Sequence, residues 1–321
     1  MEQTDKKIDK QAERKNYQEW YAWGVDGLEK AGIAEAKLDA RLLLEACCNT
    51  EYNTLLAHGD RILSPEEQKS YVNYIEKRAK HIPLQHLTGT QEFMGLDFLV
   101  NDKVLIPRQD TEVLVEEVLR HLHDGMRILD LCTGSGCILL SLLHYSNGCK
   151  GVGVDISEAA LQVAKENAQR ILEKQGVRKT ASEETGMAEV QFVQGDLYDG
   201  LKDICIKENN IQKSNNVGAK FDIIVSNPPY IRQDVISTLM PEVKEHEPLL
   251  ALDGGEDGLT FYRRIVEKAA EYLCGGGMLF FEIGAEQGSD VKGMLAEAGF
   301  RDVEIIKDLA GLDRVVYGVL Y

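Results

Sequence analysis

The stretch RILDLCTGSGCILLSLLHYSNGCKGVGVD, residues 127–155, carries the reading of the fold. Arg127 to Cys132 reads as a buried strand. Gly134 and Gly136 break it with a sharp turn, and Gly136 to His144 resumes as an apolar helix. Gly151 to Ile156 is a second strand. Strand, glycine turn, helix and strand together make a parallel βαβ unit. The alternation continues downstream. Ala159 to Lys174 reads as a helix, Val190 to Val193 and Phe221 to Ser226 as strands. Leu259 to Leu273 is a long helix ended by Gly275-Gly276-Gly277, and Met278 to Ile283 is a fifth strand. Val303 to Leu320 reads as two strands around Gly311, at a sheet edge and at least one of them antiparallel. The expected class is α/β: a seven-stranded, mostly parallel, Rossmann-like sheet with an antiparallel edge hairpin. Two polar segments, 176–188 and 207–220, read as surface insertions.

Upstream the periodicity is helical. Ser64-Pro65-Glu66-Glu67 is an N-cap serine, a proline at the first helical position and a glutamate at the third. The helix it starts runs through Tyr71, Tyr74, Ile75 and Arg78 and stops near Pro83. Leu38, Leu42, Leu43 and Ala46 share a helical spacing, and so, more loosely, do Trp20, Trp23 and Leu28. The tryptophans read as the core of a small bundle rather than as a binding face. Phe98 to Val100 and Val104 to Ile106 suggest a hairpin region, with Gly95 as a turn. Asp110 or Thr111 then caps a helix from Val113 to Leu122. The division expected is a helical domain at 1–83, a hairpin linker at 84–112 and a larger α/β domain at 113–321.

Bulk composition excludes several classes. The chain has 321 residues, 44% of them hydrophobic, which is enough for a sizeable core. No apolar run approaches the ~20 residues of a membrane span, and residues 1–16 do not resemble a signal peptide. The seven cysteines are scattered and form no C-x-x-C pair, so reduced thiols and a cytoplasmic location are expected. No metal is expected, because the histidines form no ligand cluster with acids or cysteines. Net charge is −17, with 36 Lys and Arg against 53 Asp and Glu, which argues against a nucleic-acid substrate.

The candidate cofactor loop is Cys132-Thr133-Gly134-Ser135-Gly136, at a strand end where open α/β sheets bind ligands. Asp155 ends the second strand and has the chemistry to accept hydrogen bonds from both ribose hydroxyls. Asp196, in Gly195-Asp196-Leu197, has the chemistry to accept from an adenine amino group, with Leu197 covering the ring. This set serves a nicotinamide dinucleotide as well as S-adenosylmethionine. Leu139 stands where a complete G-x-G-x-x-G has its last glycine, and the loop carries no P-loop lysine. A nucleoside without phosphates fits better, and S-adenosylmethionine, leaving as S-adenosylhomocysteine, is the expected cofactor.

Asn227-Pro228-Pro229-Tyr230 follows the fourth strand. Prolines stiffen the segment and offer carbonyl oxygens but no N–H. The Asn227 side-chain oxygen and the Pro228 carbonyl suit the two hydrogens of a planar NH₂ group, and Tyr230 offers a flat face beside it. Asn227 and Pro228 are the catalytic candidates, Asn227 to Tyr230 the substrate-binding ones, and Asn227 also borders the cofactor. No general base is assigned.

These blocks resemble the release-factor glutamine methyltransferases, the HemK/PrmC family. The resemblance runs through Glu92-Phe93-Met94-Gly95, Ile106 to Glu112, Asp130 to Gly136, Asn227 to Tyr230, Glu247-Pro248, Ala251 to Leu259 and Glu282-Ile283-Gly284. It implies a class I methyltransferase sheet with an N-terminal helical domain. It also implies a substrate, the glutamine of the Gly-Gly-Gln motif in class 1 peptide chain release factors, and a product, N5-methylglutamine. Cys132 departs from a position often glycine in that family, and Leu197 from one that is aromatic in some members. Arg108 is expected to form an ion pair with an acid of the catalytic domain rather than to touch substrate. Glu247-Pro248 and the 254–258 loop remain open between shaping the pocket and touching substrate. A monomer without a membrane or nucleic-acid partner is expected. The rival readings are a nucleic-acid amino methyltransferase and a non-catalytic Rossmann nucleotide binder.

Overall fold

The computed structural model describes residues 15–172, 189–203 and 220–321. The insertions expected at 176–188 and 207–220 lie outside them, apart from Lys220, as do Cys205 and residues 1–14. The chain divides into two compact units, residues 1–89 with 240–246, and residues 90–239 with 247–321.

The first unit is helical: α1 Tyr17–Lys30, α2 Ala36–Cys48, α3 Tyr52–Ala57, α4 Pro65–Arg78 and α5 Leu84–Thr88, with the short helix Pro241–His246. Helix α4 starts where the sequence predicts. Ser64 Oγ accepts from Glu67 N at 3.2 Å while Glu67 Oε2 accepts from Ser64 N at 2.7 Å. Asn16 and Glu19 cap α1 by the same exchange. Trp20 is 4% exposed and meets the buried Tyr71 edge-on, with Trp23 partly buried beside them, as expected of core residues. The face of α2 differs from expectation. Leu38 and Ala46 are exposed, and Ala36, Asp39, Ala40, Leu43 and Leu44 are buried. Asp39 faces inward because Arg78 Nε donates to it at 2.7 Å. Arg78 also donates to Glu242 at 3.1 Å, and His81 lies 3.0 Å from the same carboxylate.

The second unit is built on a seven-stranded sheet in the order β5-β4-β3-β6-β7-β9-β8. Its strands are β3 Arg127–Leu131, β4 Lys150–Asp155, β5 Glu189–Gln194, β6 Phe221–Ser226, β7 Leu273–Glu282, β8 Arg301–Lys307 and β9 Asp313–Leu320. Strand β9 runs antiparallel to both neighbours, and the remaining pairings are parallel. Alternate residues serve opposite faces. Ile128, Ile223, Val225 and Phe280 pack under α6 Gln109–His121, α7 Cys137–His144 and α8 Glu158–Leu172. Leu129, Leu131, Ile224 and Phe281 pack under α9 Thr260–Tyr272 and α10 Gly288–Glu297.

Three local expectations are corrected. The hairpin pairs β1 Thr90–Phe93 with β2 Leu96–Leu99 about Met94-Gly95, both at positive φ, a two-residue turn suited to strand twist. Val104 to Ile106 is not a strand. A turn closed by Asn101 precedes it and Pro107 follows, while Val104 buries against Val100, Ala160 and Val163. Helix α6 begins at Gln109, so Asp110 and Thr111 sit in its first turn instead of capping it. Residues Gly275 to Gly277 belong to β7, which starts directly after α9, and the register with β6 shifts there.

Arg78→Met leaves the buried Asp39 without its cation and the half-buried Glu242 with only His81. It is expected to destabilise the first unit by about 3 kcal/mol, read from denaturant unfolding of the variant against the parent. A loss below about 0.5 kcal/mol would show that water replaces the pair at no cost.

Candidate active site

A cleft of about 210 Å³ opens at the carboxyl ends of β3, β4, β5 and β6. It lies beside the switch from β4-β3 to β3-β6, where crossovers leave the sheet in opposite directions. The loop after β3 turns with Cys132 at φ 60°, Gly134 at 56° and Gly136 at 79°. A left-handed turn costs an L-residue about 1 kcal/mol, so Cys132 carries strain that a glycine there would not. Polar contacts hold the turn from every side. Thr133 N donates to Val154 O at 3.0 Å, and Gly134 N to Asp155 Oδ2 at 2.9 Å. The buried Asn167 donates to Ser135 O at 2.9 Å and also bonds both backbone groups of Leu99. Nothing in the sequence singles out Asn167 except its polarity on an otherwise apolar helix face.

Cys132, Thr133, Gly134, Ser135, Asp155, Asp196, Leu197 and Asn227 all border the cleft, and so does Pro229. Gly136, Pro228 and Tyr230 do not. Gly136 is the N-cap of α7, and its backbone packs against Leu140 and Ala164. The Tyr230 hydroxyl points away to Glu282 Oε1 at 3.2 Å. Asp155 is fixed by Gly134 N and by Ser157 N at 2.9 Å, which keeps its spare lone pairs aimed. Burial raises its pKa, and those backbone donors oppose the shift. Asp196 is engaged by Arg264 at 2.7 Å. Arg264 and Phe261, one turn apart on α9, also line the cleft; only their i, i+3 spacing hinted at a shared face.

Asn227 Nδ2 donates to Thr111 Oγ1 at 3.4 Å, which leaves Oδ1 as the free acceptor of that amide. The block from Pro107 to Glu112 thus has several duties. Thr111 orients Asn227, and Glu112 accepts from Met94 N at 2.7 Å in the hairpin turn. Arg108 forms the expected ion pair, with both oxygens of Glu247 at 2.7 Å. The loop from Gly254 to Gly258 shapes the site. A Cβ on Gly254 would lie 2.7 Å from Tyr230 Cα, and Ile231 exchanges backbone bonds with Leu252 and Gly254.

The three cations on the cleft wall are already matched: Lys103 with Asp102, Arg108 with Glu247, and Arg264 with Asp196. A pyrophosphate would find none of them free, whereas Asp155, held only by backbone donors, keeps spare lone pairs for the hydroxyls of a nucleoside. Among the described residues, no group of three His, Cys, Asp or Glu is placed to hold a metal, and no helix is long and apolar enough to cross a membrane.

Residues 19–89 match the family model of the PrmC N-terminal domain, and residues 122–252 that of a methyltransferase domain. The chain is 41% identical over 92% of its length, and 94% of the relative's, to a release factor glutamine methyltransferase of Geobacter sulfurreducens. It belongs to the release factor glutamine methyltransferase family. A relative of the same description from Clostridium botulinum is 38% identical over 91% of this chain and 95% of its own. The hMettl16 catalytic domain in complex with a 3′UTR hairpin shares the fold, with a TM-score of 0.51 at 16% identity, over 76% of this chain and 81% of that one. The protein is a methyltransferase of this family, its methyl donor is S-adenosylmethionine, and the matched cations of the cleft suit that donor.

Asp130 is fully buried behind the cofactor loop. Thr133 Oγ1 donates to one oxygen at 2.6 Å, and the other has no partner among the described residues. Burial pushes its pKa up to about 7. The folded state therefore holds this proton more tightly than the unfolded chain. The resulting stability is fully present below the unfolded pKa of ~3.9 and is lost as pH rises towards 7. Unfolding titrations of Asp130→Asn between pH 4 and 7 are expected to show a flatter slope than the parent. An unchanged slope would mean that Asp130 stays ionised throughout.

Proposed function

We propose that this family member methylates the side-chain amide of the glutamine in the Gly-Gly-Gln motif of class 1 peptide chain release factors, giving N5-methylglutamine. The observation that carries the reading is the aim of Asn227. Its donor atom is turned to Thr111, so an acceptor is what it offers at the cleft. A glutamine NH₂ needs two acceptors: Asn227 Oδ1 is one, and the carbonyl of Pro228, which adjoins the cleft-lining Asn227 and Pro229 without itself lining the cleft, is assigned as the second.

When bound, S-adenosylmethionine supplies an electrophilic methyl group on a sulfonium that leaves as neutral S-adenosylhomocysteine. Cys132 to Ser135, Asp155, Asp196 and Leu197 would hold it. The remaining work falls to the clamp. An amide nitrogen is a poor nucleophile, because its lone pair is delocalised into the carbonyl. Accepting both hydrogens fixes the nitrogen and directs that lone pair, and positioning of this kind contributes up to about 7–11 kcal/mol in ideal cases. Methylation leaves the nitrogen strongly acidic, so its proton passes to water without a dedicated base. Pro228 and Pro229 cannot donate to neighbouring groups, and the clamp stays rigid through Thr111 below it and the 252–258 loop beside it.

Residues 1–83 are assigned the recognition of the release factor body. A monomeric, cytoplasmic enzyme without a nucleic-acid substrate completes the reading, supported by the net charge of −17.

The test is transfer of label from S-adenosylmethionine to a purified release factor, to the same factor with its motif glutamine replaced, and to nucleic acid. Label on the intact factor alone is expected; label on nucleic acid, or on neither, overturns the reading. In the same assay Asn227→Ala is expected to keep cofactor affinity and to lose about 10²-fold or more in turnover, the usual cost of one well-aimed polar group. Turnover within a few-fold of the parent would remove Asn227 from the clamp.

A further inference from the structure

Gln287 lies outside the cleft, at the N-cap of α10, yet its side chain makes no capping bond to that helix among the described residues. Its amide is used elsewhere. Gly284 N, which can only donate, meets one amide atom at 2.9 Å and so identifies it as Oε1. Tyr262 Oη lies 3.3 Å from the same atom while donating to Glu282 O at 2.9 Å. Nε2 therefore faces two carbonyls, donating to Tyr230 O and Gly258 O at 3.1 Å each. One side chain links the clamp, the 254–258 loop, α9 and the β7–α10 turn.

The Tyr230 side chain is held from the same region. Its hydroxyl donates to Glu282 Oε1, and Glu282 is 2% exposed, with Oε2 lacking a partner among the described residues. A Cβ on Gly258 would stand 2.5 Å from Tyr230 O, so backbone and amide approach that carbonyl closely. The two prolines before Tyr230 offer no N–H by which the sheet could grip the segment. Beside the Asn227–Thr111 bond and the backbone pairing of Ile231, the Tyr230 carbonyl and ring are two further handles, and Gln287 and Glu282 hold one each.

We infer that Gln287, seconded by Glu282, is a positioning residue that sets the pose of Tyr230 and through it the acceptor geometry of Asn227 and Pro228. The inference rests on the reading of Asn227 to Tyr230 as the clamp for the glutamine amide. Gln287 is not part of the cleft lining, and its effect reaches the reaction through the Tyr230 peptide.

Gln287→Glu is nearly isosteric. It keeps the acceptor for Gly284 N and replaces the two-donor NH₂ with an oxygen facing two carbonyls. Turnover on a release factor is expected to fall about 10- to 100-fold, the scale of a small misplacement. KM for the factor and affinity for S-adenosylhomocysteine should stay within about threefold, because the protein substrate binds over a wide surface and the cofactor loop is untouched. Activity relative to the parent should recover in part as pH falls, since a protonated carboxyl again donates to one carbonyl. Gln287→Met, neutral and donor-free, should show the same loss without the recovery, and it serves if the glutamate variant does not fold. Parent-like turnover in both variants, or a parallel loss of cofactor affinity, overturns the inference. Asn227→Ala measured alongside separates the two levels. If it stays active, the clamp reading itself fails; if it is inactive while the Gln287 variants are normal, only this inference fails.

Discussion

Strand β3 pairs in parallel with β4 on one side and β6 on the other, and the site depends on that double pairing. Its register sets Leu131 beside both Val154 and Ser226. The chain ends of all three strands therefore emerge together. The glycine turn after β3, the carboxylate after β4 and the Asn-Pro-Pro-Tyr segment after β6 come within reach of one bound molecule. The cleft forms because crossovers on either side of β3 depart to opposite faces and leave no element above the strand ends. Ser226 Oγ, donating to Leu131 O at 2.7 Å, pins the two central strands where they meet the site.

Around that crevice the structure spends its buried polar groups on holding loops still. Asn167 ties the cofactor turn to β2, Asp155 ties it to the start of α8, Thr111 turns the Asn227 amide, and Gln287 grips Tyr230. Buried polar atoms are costly unless bonded, so each of these contacts also fixes a backbone position that propensity alone would leave loose. The pairing of each wall cation with an acid follows the same pattern.

Much of this was legible in the residues. The strands fell near their expected positions, the central parallel ones because strands buried on both faces read as short apolar blocks between turn signals. Residues Ser64 to Glu67 announced a helix start with a mechanism, and the structure shows that exchange of bonds. The misreadings share a cause. Val104 is apolar because it buries against α8 and Leu105 because it borders the cleft, not because either pairs with another strand. On α2, Ala40 and Asp39 are inside and Leu38 is outside, because a buried arginine from α4 recruits an acid that hydropathy assigns to the surface. The glycines at 275–277 look like a helix stop and belong to a strand whose neighbour tolerates a register shift.

By itself the sequence determined the alternation of strands and helices, the location of the cofactor turn, the acids at the strand ends and the donor-free backbone of Pro228-Pro229. Those properties are local: they follow from dihedral freedom, donor count and periodicity over a few residues. Tertiary structure alone decided which of the candidates face the cleft. It left Gly136, Pro228 and Tyr230 out of the cleft lining, set Arg264 and Phe261 on its wall, and placed Thr111 beneath Asn227 and Gln287 behind Tyr230. Thr111 and Asn227 are 116 positions apart and Gln287 and Tyr230 are 57. Contacts at such separations are set by how helices pack on the sheet, a collective property of many side chains that no short window contains.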